Sequence, residues 1–284
     1  MSSISMRKRK SKMFFLVILI LVIFLIWQDN SLMVTRYQYR SSHLPESFSG
    51  LKIVQISDLH NKRFGSQQQR IVKAIKNENP DLIVITGDIV DCHRFNLQPV
   101  KELIAQIAPI APIYYVPGNH EAKSGRYMEV NEALNRLGVI VLSNEAVSFN
   151  YWNDSIRIIG LEDPTFIPED YYRGTTTWKI EECLNEYATT NQFNLLLTHH
   201  PELMSVYAKY PVDLIFAGHA HGGQIRIPYV QGIFSPNQGL FPKYDSGMYL
   251  ENNSTLIVSR GLGNSVFPFR VFNRPEIVVV TLDS

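Results

Sequence analysis

Five short polar segments hold most of the side chains in this 284-residue chain that could do chemistry. In order they are Asp58-Leu59-His60, Gly87-Asp88-Ile89-Val90-Asp91, Gly118-Asn119-His120-Glu121, Thr198-His199-His200-Pro201 and Gly218-His219-Ala220-His221-Gly222-Gly223-Gln224. Six of the eight histidines fall inside them, His93 lies two residues from Asp91, and only His43 stands apart. Mixed carboxylate, imidazole and amide donors suit a borderline divalent metal such as Mn, Fe, Zn, Ni or Co; all-oxygen sites favour Mg or Ca, and thiolate-rich sites structural Zn. So many histidines exceed what one tetrahedral ion takes, which points to two ions. A carboxylate between them would offset their repulsion and hold them roughly 3.5–4 Å apart, close enough to act on one phosphoryl group. Asp-x-His and His-x-His are expected to set both side chains on one side of an extended chain.

These segments need a scaffold that brings them together. Apolar, β-branched runs at 51–57, 81–85, 113–116, 193–198 and 213–217 read as strands, and each ends at or just before one of the polar segments. Amphipathic stretches at 66–78, within 97–107, around 127–137 and near 178–187 read as helices between them. Further strands are expected at 139–142, 146–150, 156–161, 255–259 and 276–282, with a long Gly/Pro-rich stretch over 218–246. Regular strand–loop–helix units predict an α/β fold with a mostly parallel sheet at first and antiparallel strands later. In such sheets ligands sit beyond the carboxyl ends of the strands, so one rim should collect Asp58, Asp88, Asn119, His199 and His219.

Charge is uneven. Residues 1–12 carry Arg7, Lys8, Arg9, Lys10 and Lys12 and no acid, which leaves 22 basic against 26 acidic side chains in the remainder. A mildly acidic body gives no electrostatic case for a nucleic-acid duplex as partner. Two cysteines, Cys92 and Cys183, exclude a disulfide scaffold and a four-thiolate zinc module, leaving one bridge or two free thiols. Residues 13–27 are fifteen consecutive apolar positions, about 22 Å of helix. Behind a basic cluster and without a small-x-small cleavage site, they read as an uncleaved signal-anchor, the alternative being a cleaved signal peptide. The expected organisation is a cytoplasmic basic segment (1–12), a transmembrane signal-anchor (13–28), a stalk and lead-in segment (29–50) and one extracytoplasmic domain (51–284).

Taken together, DLH, GDIVD, GNHE, THHP and GHAHGGQ resemble the calcineurin-like metallophosphoesterase superfamily. The stretches GHAHGGQIRIP, SRGLGNS (259–265) and FNRPEIVVVTL (272–282) resemble its bacterial, often membrane-anchored, phosphodiesterase-like branch, which includes proteins similar to chlamydial UDP-diacylglucosamine pyrophosphatases. The resemblance covers about residues 50–284. It implies a four-layer α/β/β/α sandwich, preceded here by one transmembrane helix, with a dinuclear centre at one edge. It places Asp58, His60 and His221 on one metal ion, Asn119, His199 and His219 on the other, and Asp88 between the two, with Mn, Fe or Zn as the expected ions. A water or hydroxide activated by both ions would attack phosphorus in line. His120 would assist the leaving group rather than bind metal, and Asp91 would orient it and raise its pKa.

Several residues stay open at this point. His200 reads as a pocket wall or a surface residue, and Glu121 as a loop anchor rather than a ligand. Cys92 stands where many relatives of that superfamily carry a phosphate-binding Arg, leaving Arg94, Arg126, Arg260 or His93 as anion partners and a thiol that oxidation could reach. Gly222-Gly223 and Gly261-Leu262-Gly263 read as tight loops. Ile233, Phe234, Leu240, Phe241, Phe267 and Phe269 read either as core or as an apolar rim for an acyl chain or membrane. The leading function is hydrolysis of a phosphodiester or pyrophosphate bond in a lipid-linked or cell-envelope substrate. Broad phosphomonoester hydrolysis is the alternative, and a non-catalytic metal-stabilised binding protein is a third reading.

Overall fold

The computed structural model describes residues 2–167, 177–228, 230–264 and 267–284, with side chains from residue 9 onward. Ser265, the last residue of the expected segment 259–265, and Val266, beside Phe267, lie outside the described residues, as do the side chains of Arg7 and Lys8.

Strands β2 (Lys52–Ile56), β3 (Leu82–Thr86) and β4 (Ile113–Val116) are short apolar runs with almost every residue buried. That is the composition expected of parallel strands covered on both faces. They pair in parallel with one another and, through β4, with β5 (Ile140–Val141). On the other side of β2 lies β14 (Glu276–Asp283), antiparallel to it, and beyond that β1 (Met33–Arg40), parallel to β14 along its whole length. Besides a short antiparallel pair, β10 (Phe234–Ser235) and β11 (Gly239–Leu240), a second six-stranded sheet runs in the order β12 (Gly247–Glu251), β13 (Ser254–Val258), β9 (Leu214–Ala217), β8 (Asn194–Leu197), β7 (Asp154–Gly160), β6 (Glu145–Tyr151). Its four middle strands are parallel and its two edges antiparallel.

Three apolar layers hold this together. Helices α2 (Gln69–Glu78), α3 (Gln98–Ile107) and α5 (Tyr127–Arg136) lay Ile71, Ile75, Leu103, Ile107 and Leu134 on Val54, Ile83, Ile85 and Tyr115 of the first sheet. Between the sheets, Ile53, Val84, Val116 and Val280 meet Ile158, Leu195, Leu197 and Phe216. On the far side, α6 (Trp178–Tyr187) and α7 (Met204–Tyr207) cover Ile159, Leu196 and Ile215 with Ile180, Leu184, Met204 and Tyr207. The result is the expected α/β/β/α sandwich. Gln55 is the polar exception in the middle layer: its Nε2 donates to Thr86 Oγ1 (2.9 Å) and Ala217 O (2.8 Å), tying the two sheets together near their carboxyl ends.

Two boundaries differ from expectation. The segment taken as stalk and lead-in is largely part of the domain, because β1 forms an edge strand on β14 and Leu44 and Phe48 are buried in the middle layer. Its partner strand lies some 240 residues away, which no local pattern can reveal. The N-terminal helix α1 is also longer, Ser2–Asn30, and its stretch Arg9–Asn30, apolar throughout residues 13–27, is almost wholly exposed. Twenty-two residues give about 33 Å, enough to cross a hydrocarbon core of roughly 30 Å.

The end of α1 is fixed to the domain. Lys62 Nζ donates to Asp29 O (2.6 Å), Arg270 N to Asp29 Oδ1 (2.7 Å), Arg70 Nη2 to Asn30 O (2.5 Å) and Asn273 N to Gln28 Oε1 (3.2 Å).

Candidate metal centre

All five polar segments follow carboxyl ends of parallel strands, β2, β3 and β4 in one sheet and β8 and β9 in the other. Asp58 (φ 51°), His60 (46°), Asp88 (53°), His219 (66°) and His221 (48°) all have left-handed backbone conformations. The extended alternation expected for Asp-x-His and His-x-His is therefore corrected: tight turns, not straight strand, aim these side chains. Left-handed non-glycine residues cost of order 1–3 kcal/mol each and persist only where the surroundings fix them. Here Asp58 N donates to Gly87 O, His60 N to Asp88 O (both 3.0 Å), and His219 N to both oxygens of Asp58 (3.2 Å). Glycine is required beside them: at Gly261 (φ 69°) a Cβ would lie 2.7 Å from Asp58 Cβ, and at Gly87 (φ 84°) 2.6 Å from His199 Nδ1.

The donors form two clusters that meet at Asp88. In one, His60 Nε2 is 3.2 Å from His221 Nε2 and 3.7 Å from Asp88 Oδ2, and His221 Nε2 is 3.4 Å from Asp58 Oδ1. In the other, Asp88 Oδ2 is 3.2 Å from His199 Nε2, which is 3.2 Å from His219 Nδ1. Asn119 Oδ1 is buried with no hydrogen-bond partner, and the next residue, His120, holds Asp88 Oδ1 through its backbone N–H (2.8 Å).

Burial decides the protonation states. It pushes His60 down to about 3 against the pull of Asp88, and pushes His219 and His221 well below the usual imidazole range, with neighbouring imidazoles adding to the effect. Burial also raises Asp58, to about 6, with His199 opposing. At His199 the downward push of burial is overcome by Asp88, which carries it up to about 10, and Asp88 itself stays well below the usual carboxylate range. Neutral imidazoles and carboxylates packed at 3.2–3.7 Å, with an orphaned amide oxygen on the adjoining turn, form a donor set that fits divalent cations. Six of the seven expected ligands, Asp58, His60, Asp88, His199, His219 and His221, are thus brought together, and Asn119 lies on the turn whose next residue holds Asp88.

Other residues hold these in place. His199 Nδ1–H donates to Thr86 O (2.7 Å), which aims Nε2 at Asp88. His200 is buried between Asp163 Oδ2 and Glu202 Oε1, both at 2.7 Å, so it is a wall and not a surface residue. Asn237 Nδ2 reaches Glu202 Oε1 (2.9 Å) and His219 Nε2 (3.3 Å). Glu121 accepts from Gly118 N, Asp88 N and Val90 N at 2.7–3.1 Å, the loop-anchor role. Asp163, Asn237 and Thr86 gave no sign in the sequence, since they act through loops and a carbonyl with no motif of their own.

His120 and Asp91 sit beside the first cluster. The His120 and His60 rings are 4.4 Å apart, edge to face, and Cys92 N donates to His120 Nδ1 (3.1 Å). Asp91 is spent on its own loop, accepting from His93 N and Arg94 N (2.9 Å) and Arg94 Nη2 (3.0 Å). It does pull the His120 pKa upward, as Asp88 does. Burial outweighs both and the net displacement is downward, contrary to expectation. Burial and Asp91 raise the Cys92 thiol, away from the reactive thiolate.

A cavity of about 700 Å³ opens on this side, lined by His60, Asn61, Lys62, Asp91, His93 and Arg94. Of the expected anion partners, Arg94 and His93 face it. Arg126 instead lies over the Phe95 ring (3.9 Å) paired with Glu129, and Arg260 lies beside Met33 and Glu276. Lys62, not anticipated, is pushed down to about 8, by burial first and then by Arg270, against Asp29.

A family profile described as calcineurin-like phosphoesterase matches residues 51–223. The metallophosphoesterase YkuE of Bacillus subtilis (strain 168) is 31% identical over 266 residues, covering 90% of this chain and 87% of that protein. Phosphodiesterase YaeI of Escherichia coli (strain K12) is 27% identical over 251 residues, 86% of this chain and 87% of that one. A Danio rerio transmembrane protein with metallophosphoesterase domain is 29% identical over 247 residues, 84% of this chain and 54% of its own length.

Proposed function

The chain belongs to the calcineurin-like phosphoesterase family and is a metal-dependent phosphoesterase; on that premise we propose that it hydrolyses phosphodiester or pyrophosphate bonds of a lipid-linked or cell-envelope substrate. The observation that carries this reading is the meeting of two donor clusters at Asp88 beside a cation-lined cavity.

Asp58, His60 and His221 would hold one divalent ion, Asn119, His199 and His219 the other, and Asp88 both. Mn, Fe or Zn fits such a mixed donor set. Such ions supply Lewis-acid stabilisation of phosphoryl oxygens and acidify a nucleophilic water. The chain supplies the rest. Because Cys92 N–H donates to His120 Nδ1, the proton of the neutral ring sits on Nε2. His120 therefore offers an N–H hydrogen bond to a phosphoryl or leaving-group oxygen and stabilises the charge that develops there. Asp91 shapes the loop that carries the Cys92 amide and draws Arg94 to the cavity, so it is a positioning residue. Arg94 and Lys62 place positive charge where an anionic substrate would lie.

The apolar span of α1 supports a single-pass membrane protein with its basic end in the cytoplasm and the domain outside. Purified full-length chain, loaded with Mn²⁺, should cleave bis-p-nitrophenyl phosphate faster than the monoester. A preference for the monoester would make it a phosphomonoesterase, and no cleavage of either with two metal equivalents bound would defeat the proposal.

A further inference from the structure

Given the membrane seat of α1 proposed above, on which this rests, we infer that residues 225–228, 230–241 and 267–272 form a lipid-contact surface. It seats the mouth of the cavity at the lipid–water interface, so that a phosphoester substrate is taken from the bilayer side.

Exposed apolar side chains crowd these two segments. Leu240 is 70% and Phe241 56% exposed, and Val230, Phe234, Phe267 and Phe272 are exposed as well. Of the six apolar residues left open between core and rim, only Ile233 and Phe269 are half-buried. Contiguous exposed apolar surface on this scale marks an interaction site.

Its position names the occupant. The Phe272 ring is 5.4 Å from Phe24 of α1, and the Arg274 guanidinium lies over Trp27 at 5.2 Å. Phe272 and Arg274 are therefore level with the last two turns of the helix. Residues 225–228 and 230–241 continue from there: Arg226 N donates to Val271 O (2.9 Å), Ile233 N to Ile225 O and Phe241 N to Ile233 O (both 2.8 Å). Because the end of α1 is tied down at Gln28, Asp29 and Asn30, the helix cannot swing away from this rim. A surface continuous with a bare apolar helix is covered by what covers the helix, which is lipid.

The same segments, with the residues flanking the second, reach the metal centre. Asn273 Nδ2 donates to His221 O (2.7 Å), Asn237 touches His219, and Asn264 and Pro268 line the cavity. Lys62 lies in the cavity wall and bonds the last turn of α1. Head group and phosphate thus enter beside Lys62 and Arg94 while apolar chains stay in the bilayer.

The test uses the full chain in phosphatidylcholine nanodiscs. In a Cys92→Ser, Cys183→Ala background, Leu240→Cys and Met128→Cys carry an environment-sensitive fluorophore. The label at 240 should shift to the blue and be quenched by doxyl-labelled lipid; the label at 128, on exposed α5, should do neither. A water-like, unquenched label at 240 overturns the inference. So does a concentration-dependent dimer that buries it.

The Leu240→Ser, Phe241→Ser double variant should lose about tenfold in turnover of a bilayer-embedded dialkylglycerol p-nitrophenyl phosphate, the scale of one large apolar side chain leaving lipid. Its turnover of soluble bis-p-nitrophenyl phosphate should not change. Equal loss on both overturns the inference. If the unsubstituted chain cleaves neither ester, the proposed reaction fails, and the fluorophore still decides the lipid contact.

Discussion

The two halves of the metal centre share Asp88 but are built differently. Around His199 and His219 the protein does the positioning. Thr86 O fixes the His199 ring, the His200–Asp163–Glu202 group walls it in, and Asn237 touches the far nitrogen of His219. Around His60 and His221 no such support exists among the described residues: both Nδ1 atoms are buried without a partner there, and the rings stack 5.0 Å apart with Nε2 atoms facing. One half is organised before an ion arrives. The other depends on the ion to reconcile its own donors. It is also the half that opens on the cavity, where an exchangeable, reactive ion is most useful. Hydrogen bonds behind metal ligands typically change affinity 10- to 100-fold, so the difference should be measurable.

Removing the shared donor is the severest test. Asp88→Asn should cut activity by about 10³-fold, the scale of several kcal/mol of lost transition-state stabilisation, and reduce bound metal from two equivalents to one or fewer by elemental analysis. Retention of both ions would show that the halves do not depend on Asp88. His120 belongs to neither half. His120→Ala should keep both ions yet lose about 10²-fold on esters with alkyl leaving groups, and much less on nitrophenyl esters. Equal losses would end its role at the leaving group.

The contrast itself is read by paired variants. His60→Ala should keep one ion that resists a competing chelator, whereas His219→Ala should keep one that is lost at least about tenfold more readily. Equal resistance would erase the distinction. The smallest expected change is Asn237→Ala, about a threefold weakening of the tighter ion with the looser one unaffected, the scale of one modest hydrogen bond.

The strands and ligands of this centre were readable because they are local. Runs such as LIVIT and IYYV announce buried parallel strands, and each is followed directly by the polar residue that it positions. The supports were not readable. Thr86 acts through its carbonyl, Asp163 and Asn237 come from loops 37 and 18 residues from the histidines they touch, and β1 is defined by a partner at the other end of the chain. The backbone at the ligands was misjudged for a similar reason. A histidine that adopts φ 48° is held there by contacts from other segments and not by any preference of its own.

The pairing of β1 with β14 sets an order on the making of the protein. β1 leaves the ribosome far ahead of β14, its partner among the described residues, so its hydrogen-bonding groups wait unmet until that later strand is made. Until then β2 also lacks its neighbour on that side. Deleting Glu276–Asp283 would remove the strand that lies between β1 and β2 and leave both with an unpaired edge.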